Sequence, residues 1–123
     1  MQKWEVIRIY CDHLPEPHDK FCICICPENR WFMFINSRPP MYRKARDMAV
    51  SIESHEALFL GHLSFVDTTK LQDDIPDDLV DNALGDPNRN HGVLAPFVRN
   101  RIIEGVGSHE VMEPNHRAKV IEG

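Results

Sequence analysis

Lys20 to Pro40, KFCICICPENRWFMFINSRPP, decides the fold. Side chains of a strand alternate between faces, so Cys22, Cys24 and Cys26 share one face of the first arm and Phe21, Ile23 and Ile25 the other. In the second arm Trp31, Met33 and Ile35 oppose Phe32 and Phe34. Neither arm has a polar face, which predicts two central strands covered on both sides. Pro27-Glu28-Asn29-Arg30 is a four-residue link in which Pro presets φ for a type I turn and Asn tolerates the left-handed region.

Around this hairpin the remaining strands are shorter. Trp4 to Cys11 alternates Ile7, Ile9 and Cys11 against Trp4, Val6, Arg8 and Tyr10, the pattern of a half-buried strand. Asp12 to Asp19 holds two prolines and two histidines and predicts a loop. Downstream, Asp47–Ile52 and His62–Val66 read as strands, the second ended by Asp67-Thr68-Thr69, which can bond its own backbone. Asp74–Val80 carries Pro76 and first-turn acid suited to a short helix, and Gly92–Leu94 reads as a last brief strand. From Pro96 to about Val106, Phe97, Val98, Ile102, Ile103 and Val106 form a stripe at helical spacing, with Gly107 in a C′ position. The expected architecture is mainly β: a small, strongly bent barrel of five to six short strands with a C-terminal amphipathic helix over about residues 95–106. One domain covers 1–112, and 113–123 lacks periodicity and reads as a loose tail.

The chain has 123 residues, enough for a single core, with 42% hydrophobic and 27% charged residues and a net charge of −5. This balance excludes global disorder and argues against a nonspecific polyanion binder, while leaving room for a local basic patch. No stretch approaches the roughly 20 apolar residues of a membrane span, and Met1 to Trp4 leads into a strand without a signal-peptide h-region. No membrane contact and a cytoplasmic location are the expectation. All four cysteines, Cys11, Cys22, Cys24 and Cys26, fall in the first quarter of the chain. A straight C-x-C-x-C strand spreads its sulfurs apart, which suits neither a disulfide nor zinc, so the cysteines read as small buried hydrophobes.

Four residue groups carry candidate chemistry. Arg38, Arg43, Lys44 and Arg46, with Tyr42 among them, combine phosphate-binding cations with a ring able to stack on an unpaired base; the competing reading is a solvated loop. His13 and His18 are candidate acid–base groups, since imidazole exchanges protons near neutral pH. Asp67 is either a strand-end cap or a catalytic carboxylate, and Ser51 faces away from Met48, Val50 and Ile52. The Asp67–Asp86 run holds seven aspartates against one lysine but lacks the D-x-D-x-D-G pattern of a calcium loop, and reads as a solvated acidic face.

Taken in order, Phe34-Ile35-Asn36-Ser37-Arg38-Pro39, His62-Leu63-Ser64-Phe65-Val66-Asp67, and Gly92-Val93-Leu94 followed by a helix and Ser108 resemble the PemK/MazF-like toxins of type II toxin–antitoxin modules. The resemblance covers roughly Phe21 to Met112. It implies an SH3-like barrel and a metal-independent endoribonuclease acting without cofactor on single-stranded mRNA, dimeric and held by an antitoxin protein, with growth inhibition as its effect. Asp67 matches the acid after the family's fourth or fifth strand, and Ser51 a hydroxyl on the strand after the basic loop. The chain departs from the pattern at Phe65, where cleaving members carry arginine. It also lacks the Gly-x-Arg-Pro signature, offering His13 and His18 in that loop instead. The alternative is therefore a catalytically inactive barrel that serves as a protein-binding module.

Overall fold

The computed structural model describes residues 1–122. Six strands, β1 (Glu5–Cys11), β2 (His18–Cys26), β3 (Trp31–Asn36), β4 (Val50–Ile52), β5 (Ser64–Val66) and β6 (Asn90–Val93), form one antiparallel sheet in the order β4-β5-β3-β2-β1-β6. The sheet curls into a half-barrel with β4 and β6 at its edges, a mainly β architecture compatible with a small barrel. Four short helices complete it: α1 (Arg43–Met48), α2 (Asp77–Leu84), α3 (Pro96–Gly107) and α4 (Pro114–Ile121).

The central hairpin is buried on both faces, as its alternation requires. Ile23, Ile25, Met33 and Ile35 join Val6, Ile52 and Val66 under Val98, Ile102 and Val106 of α3 and Val120 of α4. On the opposite face Cys22, Cys24 and Phe32 meet Ile7, Ile9 and Cys11 beneath Leu79, Val80 and Ala83 of α2. The cysteines are thus core residues, and burial pushes the Cys22 thiol well up and that of Cys24 to about 12. The Trp4–Cys11 strand is covered on more of its length than its half-polar pattern suggests, because Trp4 and Val6 enter the α3 core while Ile7, Ile9 and Cys11 enter the α2 core.

Several local expectations shift. The left-handed residue of the hairpin turn is Arg30 (φ 55°) and not Asn29. Its guanidinium reaches Asp77 Oδ1 at 3.3 Å and Asp81 Oδ1 at 2.6 Å and so ties the turn to α2. The loop after β1 ends at Pro17, so His18 and Asp19 belong to β2. Asp47–Ile52 is a strand only over Val50–Ile52; Arg43–Met48 winds into α1, which buries no residue. The predicted strand at His62 is likewise shorter, beginning at Ser64. Helix α3 continues through Gly107 to a right-handed cap at Ser108, and Phe97 of its predicted stripe is 54% exposed.

The segment read as a loose tail forms α4. Glu113 caps it by accepting from the Asn115 and His116 amides at 3.0 and 3.1 Å, Val120 is fully buried, and His116 packs edge-on against Trp31 at 4.6 Å between centroids. Between α3 and α4, His109 ties this end of the chain to the sheet. Its Nδ1 accepts from the Val111 amide at 3.1 Å, so Nε2 carries the proton and donates to buried Thr68 Oγ1 at 2.9 Å, which in turn donates to the Met48 carbonyl at 2.8 Å.

Phe32 is the largest fully buried side chain, and its backbone also pairs with Gln72 in both directions. Phe32→Ala should cost about 3–5 kcal/mol, read as a lower denaturant midpoint at unchanged slope.

Candidate functional site

The residues singled out by sequence fall into three places around one polar row of the sheet. Paired residues of antiparallel strands share a face. Ile9 lies opposite Lys20, the register continues to set Lys20 opposite Asn36, and Asn36 and Ser51 both lie opposite Phe65. This row crosses β1-β2-β3-β5-β4 on the face that α2 covers; its β1 member, Ile9, lies in the core beneath the helix, and the polar part starts at Lys20. Lys20 donates to Asn36 Oδ1, and its ammonium stands 5.0 Å from the centroid of Phe34. Burial pulls the Lys20 ammonium below its ordinary value, and the charge of Lys70 adds in the same direction.

A groove of about 380 Å³ opens over this row. Leu14, Phe34, Pro40, Met41 and Tyr42 supply apolar and aromatic surface, and Lys20, Lys70, Asn36, Asp67 and Gln72 supply polar groups. Met41 and Tyr42 are 92% and 85% exposed. The groove brings Tyr42 and Asp67 together, as sequence alone does not. Asp67 there also acts as the expected strand-end cap, accepting from the Thr69 amide at 2.9 Å and hydroxyl at 2.5 Å.

Arg38, Arg43, Lys44 and Arg46 lie on the chain flanking Met41 and Tyr42, all exposed. Among the described residues none of the four is within ion-pair distance of a carboxylate, whereas Arg8, Arg30, Arg89 and Arg101 all are. The acidic run is correspondingly engaged: Asp77 and Asp81 hold Arg30, Asp86 caps a 3-10 turn at Pro87–Arg89 and pairs with Arg89, and Asp73 lies 3.3 Å from His116. These aspartates act as staples between elements more than as a free acidic face, and among the described residues no three His, Cys, Asp or Glu side chains converge as a metal set.

The two candidate histidines separate. His13 is exposed in the β1–β2 loop and lines neither the groove nor the cavity beside it. His18 lines a second, smaller cavity on the far side of the Lys20–Asn36 pair, together with His62. Ser51 stands three strand spacings from Lys20, about 14 Å away, on the edge strand. Its carbonyl accepts from Arg101 Nη1 at 3.0 Å, and the same guanidinium grips Glu56 with bonds of 2.8 and 2.5 Å. Ser51 is thus tied to α3 through its backbone and lines neither cavity. Lys20, Lys70, Asn36 and His62 carry no signal in the sequence; each is a lone polar residue, and only the fold brings Lys20 to Asn36 and sets Lys70 and His62 beside that pair.

The chain matches no family model, no curated protein and no solved structure. No helix of the described residues is long and apolar enough to cross a membrane.

Arg101 holds the Glu56 carboxyl at about 2, below its ordinary 4.5. A depressed carboxyl contributes stability that is complete above pH 4.5 and lost as pH falls toward 2. Denaturant midpoints measured over that window should therefore fall more steeply for the wild type than for Glu56→Gln.

Proposed function

We propose that the protein binds single-stranded RNA along the groove between Tyr42 and Lys20, and that it is a toxin-like endoribonuclease of a type II toxin–antitoxin module. The observation that carries this reading is the segregation of charge. In a chain of net charge −5, four adjacent cations have no carboxylate partner and border a groove walled by an exposed tyrosine and methionine and floored by two more lysines. Cations without internal partners are free for phosphate, and an exposed ring beside them offers a stacking surface for an unpaired base. Arg38, Arg43, Lys44 and Arg46 hold the backbone in this reading, Tyr42 a base, and Lys20 and Lys70 the phosphate that enters the groove. Asp67 and Ser51 support the surrounding structure. An antitoxin protein and a second copy of the chain are the protein partners that the family resemblance adds.

A second reading, the inactive barrel that binds a protein, draws on Phe65 standing where cleaving members carry arginine and on the apolar exposure of Met41 and Leu58.

Binding of an unstructured oligoribonucleotide across a salt series separates the two. Arg38→Ala with Arg43→Ala should weaken binding at least tenfold and flatten the dependence of log K on log salt by about 0.7 for each phosphate no longer neutralised. Tyr42→Ala should cost about 1–3 kcal/mol with the salt slope unchanged. Wild-type affinity in all these variants would remove the basic segment from the site and favour the protein-binding reading.

A further inference from the structure

The cavity beyond the Lys20–Asn36 pair has a volume of about 180 Å³ and is bordered by His18 and Lys20 of β2, Asn36 of β3, His62 in the loop before β5, and Ser64 of β5. His18 and His62 come from segments more than forty residues apart, yet their rings are held in the same manner. Nδ1 of His18 lies 2.5 Å from the Glu16 carbonyl oxygen, and Nδ1 of His62 lies 3.0 Å from that of Leu63. A carbonyl oxygen only accepts, so each Nδ1 carries a proton. The hydrogen bond of one ring nitrogen sets the state of the other, and each neutral ring therefore presents Nε2 as an unprotonated base.

The charge around these rings is also uncompensated. Asp19, the carboxylate at the cavity, is bound by Arg89 at 3.0 Å and approached by Arg8 at 3.8 Å. Lys20 has no carboxylate within ion-pair distance among the described residues and rests on Asn36 and the Phe34 ring. A half-buried ammonium lining one cavity with two imidazoles is suited to a ligand that brings both negative charge and transferable protons.

We infer that this cavity is an acid–base site for cleavage of an RNA phosphodiester, with His18 and His62 as the proton-transfer groups and Lys20 against the phosphoryl oxygens. The inference rests on the RNA reading of the adjoining groove: Lys20 and Asn36 line both spaces, so a strand stacked on Tyr42 passes across Lys20 to the histidines. One unprotonated Nε2 takes the proton of the ribose 2′-hydroxyl as that oxygen bonds to phosphorus. The other ring, protonated, gives its Nε2 proton to the 5′ oxygen as the P–O5′ bond breaks. The products are a 2′,3′-cyclic phosphate and a 5′-hydroxyl; one imidazole has gained a proton, the other has lost one, and no co-reactant is consumed. The pairing replaces His13 with His62 as the partner of His18.

The test uses the full chain, an unstructured RNA of mixed sequence, and the same strand made wholly 2′-deoxy. The wild type should bind both strands and cut only the RNA, leaving cyclic phosphate ends. His18→Ala and His62→Ala, exposed positions whose loss leaves the core intact, should each slow cutting at least 100-fold while binding the deoxy strand like the wild type. Lys20→Gln should slow it as well. Parallel purification of the variants distinguishes their activity from that of a contaminating nuclease. Undiminished cutting by His62→Ala overturns the inference, as does a wild type that binds the deoxy strand and leaves RNA intact, an outcome under which the groove reading stands. A wild type that binds neither strand overturns the groove reading and the inference with it.

Discussion

Every other part of this molecule answers to a hairpin with no polar face. A strand pair that is apolar on both sides must be covered twice, and a chain of 123 residues has little material for two covers. The covers are correspondingly short. Eight residues of α2 supply Leu79, Val80 and Ala83 to one face, and α3 with the last turn of α4 supplies Val98, Ile102, Val106 and Val120 to the other. Short helices are marginal by themselves and depend on the apolar surface beneath them, so helices and hairpin stabilise one another. The close fit is visible at Gly105 of α3, where a Cβ atom would come within 2.7 Å of Val50 Cγ2. Only glycine lets α3 settle that closely onto the edge strand.

Securing the α2 cover determines where charge remains available. The hairpin turn places Arg30 in a left-handed conformation and aims it at Asp77 and Asp81 of α2. Asp86, Asp19 and Arg89 repeat the arrangement at the far end of the helix, pinning its exit against β2. Each exposed pair adds little to stability, but together they fix the position of an eight-residue helix and occupy several of the acidic groups nearest the sheet. The basic segment from Arg38 to Arg46 lies outside this network, with its cations facing solvent. Electrostatic asymmetry is thus a by-product of how one face of the sheet is roofed.

What is legible in the sequence follows from how local each signal is. The hairpin and α3 are visible because period two and period 3.6 are written in consecutive residues; the hairpin is buried on both faces, and α3 is buried along Val98, Ile102 and Val106, with Phe97 of its stripe left exposed. Helix α4 escapes the pattern because only Val120 of its eight residues is fully buried, although Glu113-Pro114 is a sound N-cap and N1 pair that marks its start. The helix at Arg43–Met48 carries no signal, since it buries nothing and follows two prolines. Intrinsic preference assigns the left-handed turn position to Asn29. Arg30 takes it with its guanidinium held by two aspartates about fifty residues away, and no local rule registers that.

The candidate site is legible in its parts but not in its assembly, for the same reason. Tyr42 and Asp67 stand out as residue types, but what unites them is the row Lys20–Asn36–Phe65–Ser51, whose members come from four strands and become neighbours only through register. Along β2 and β3 the α2 face changes from Cys22 and Phe34 to Lys20 and Asn36 in a single step of two residues. That step is the boundary of the cover. On one side the sheet needs a roof, and α2 provides it; on the other, polar side chains pair across the strands and leave the surface open. A groove forms over this open stretch, its polar floor set beside an apolar wall of Leu14, Pro40, Met41 and Tyr42. The second cavity opens where the same Lys20–Asn36 pair reaches the opposite rim. Placing both openings on one shared pair of side chains couples them physically: any ligand that moves Lys20 from Asn36 alters the floor of the groove and the wall of the histidine cavity at once.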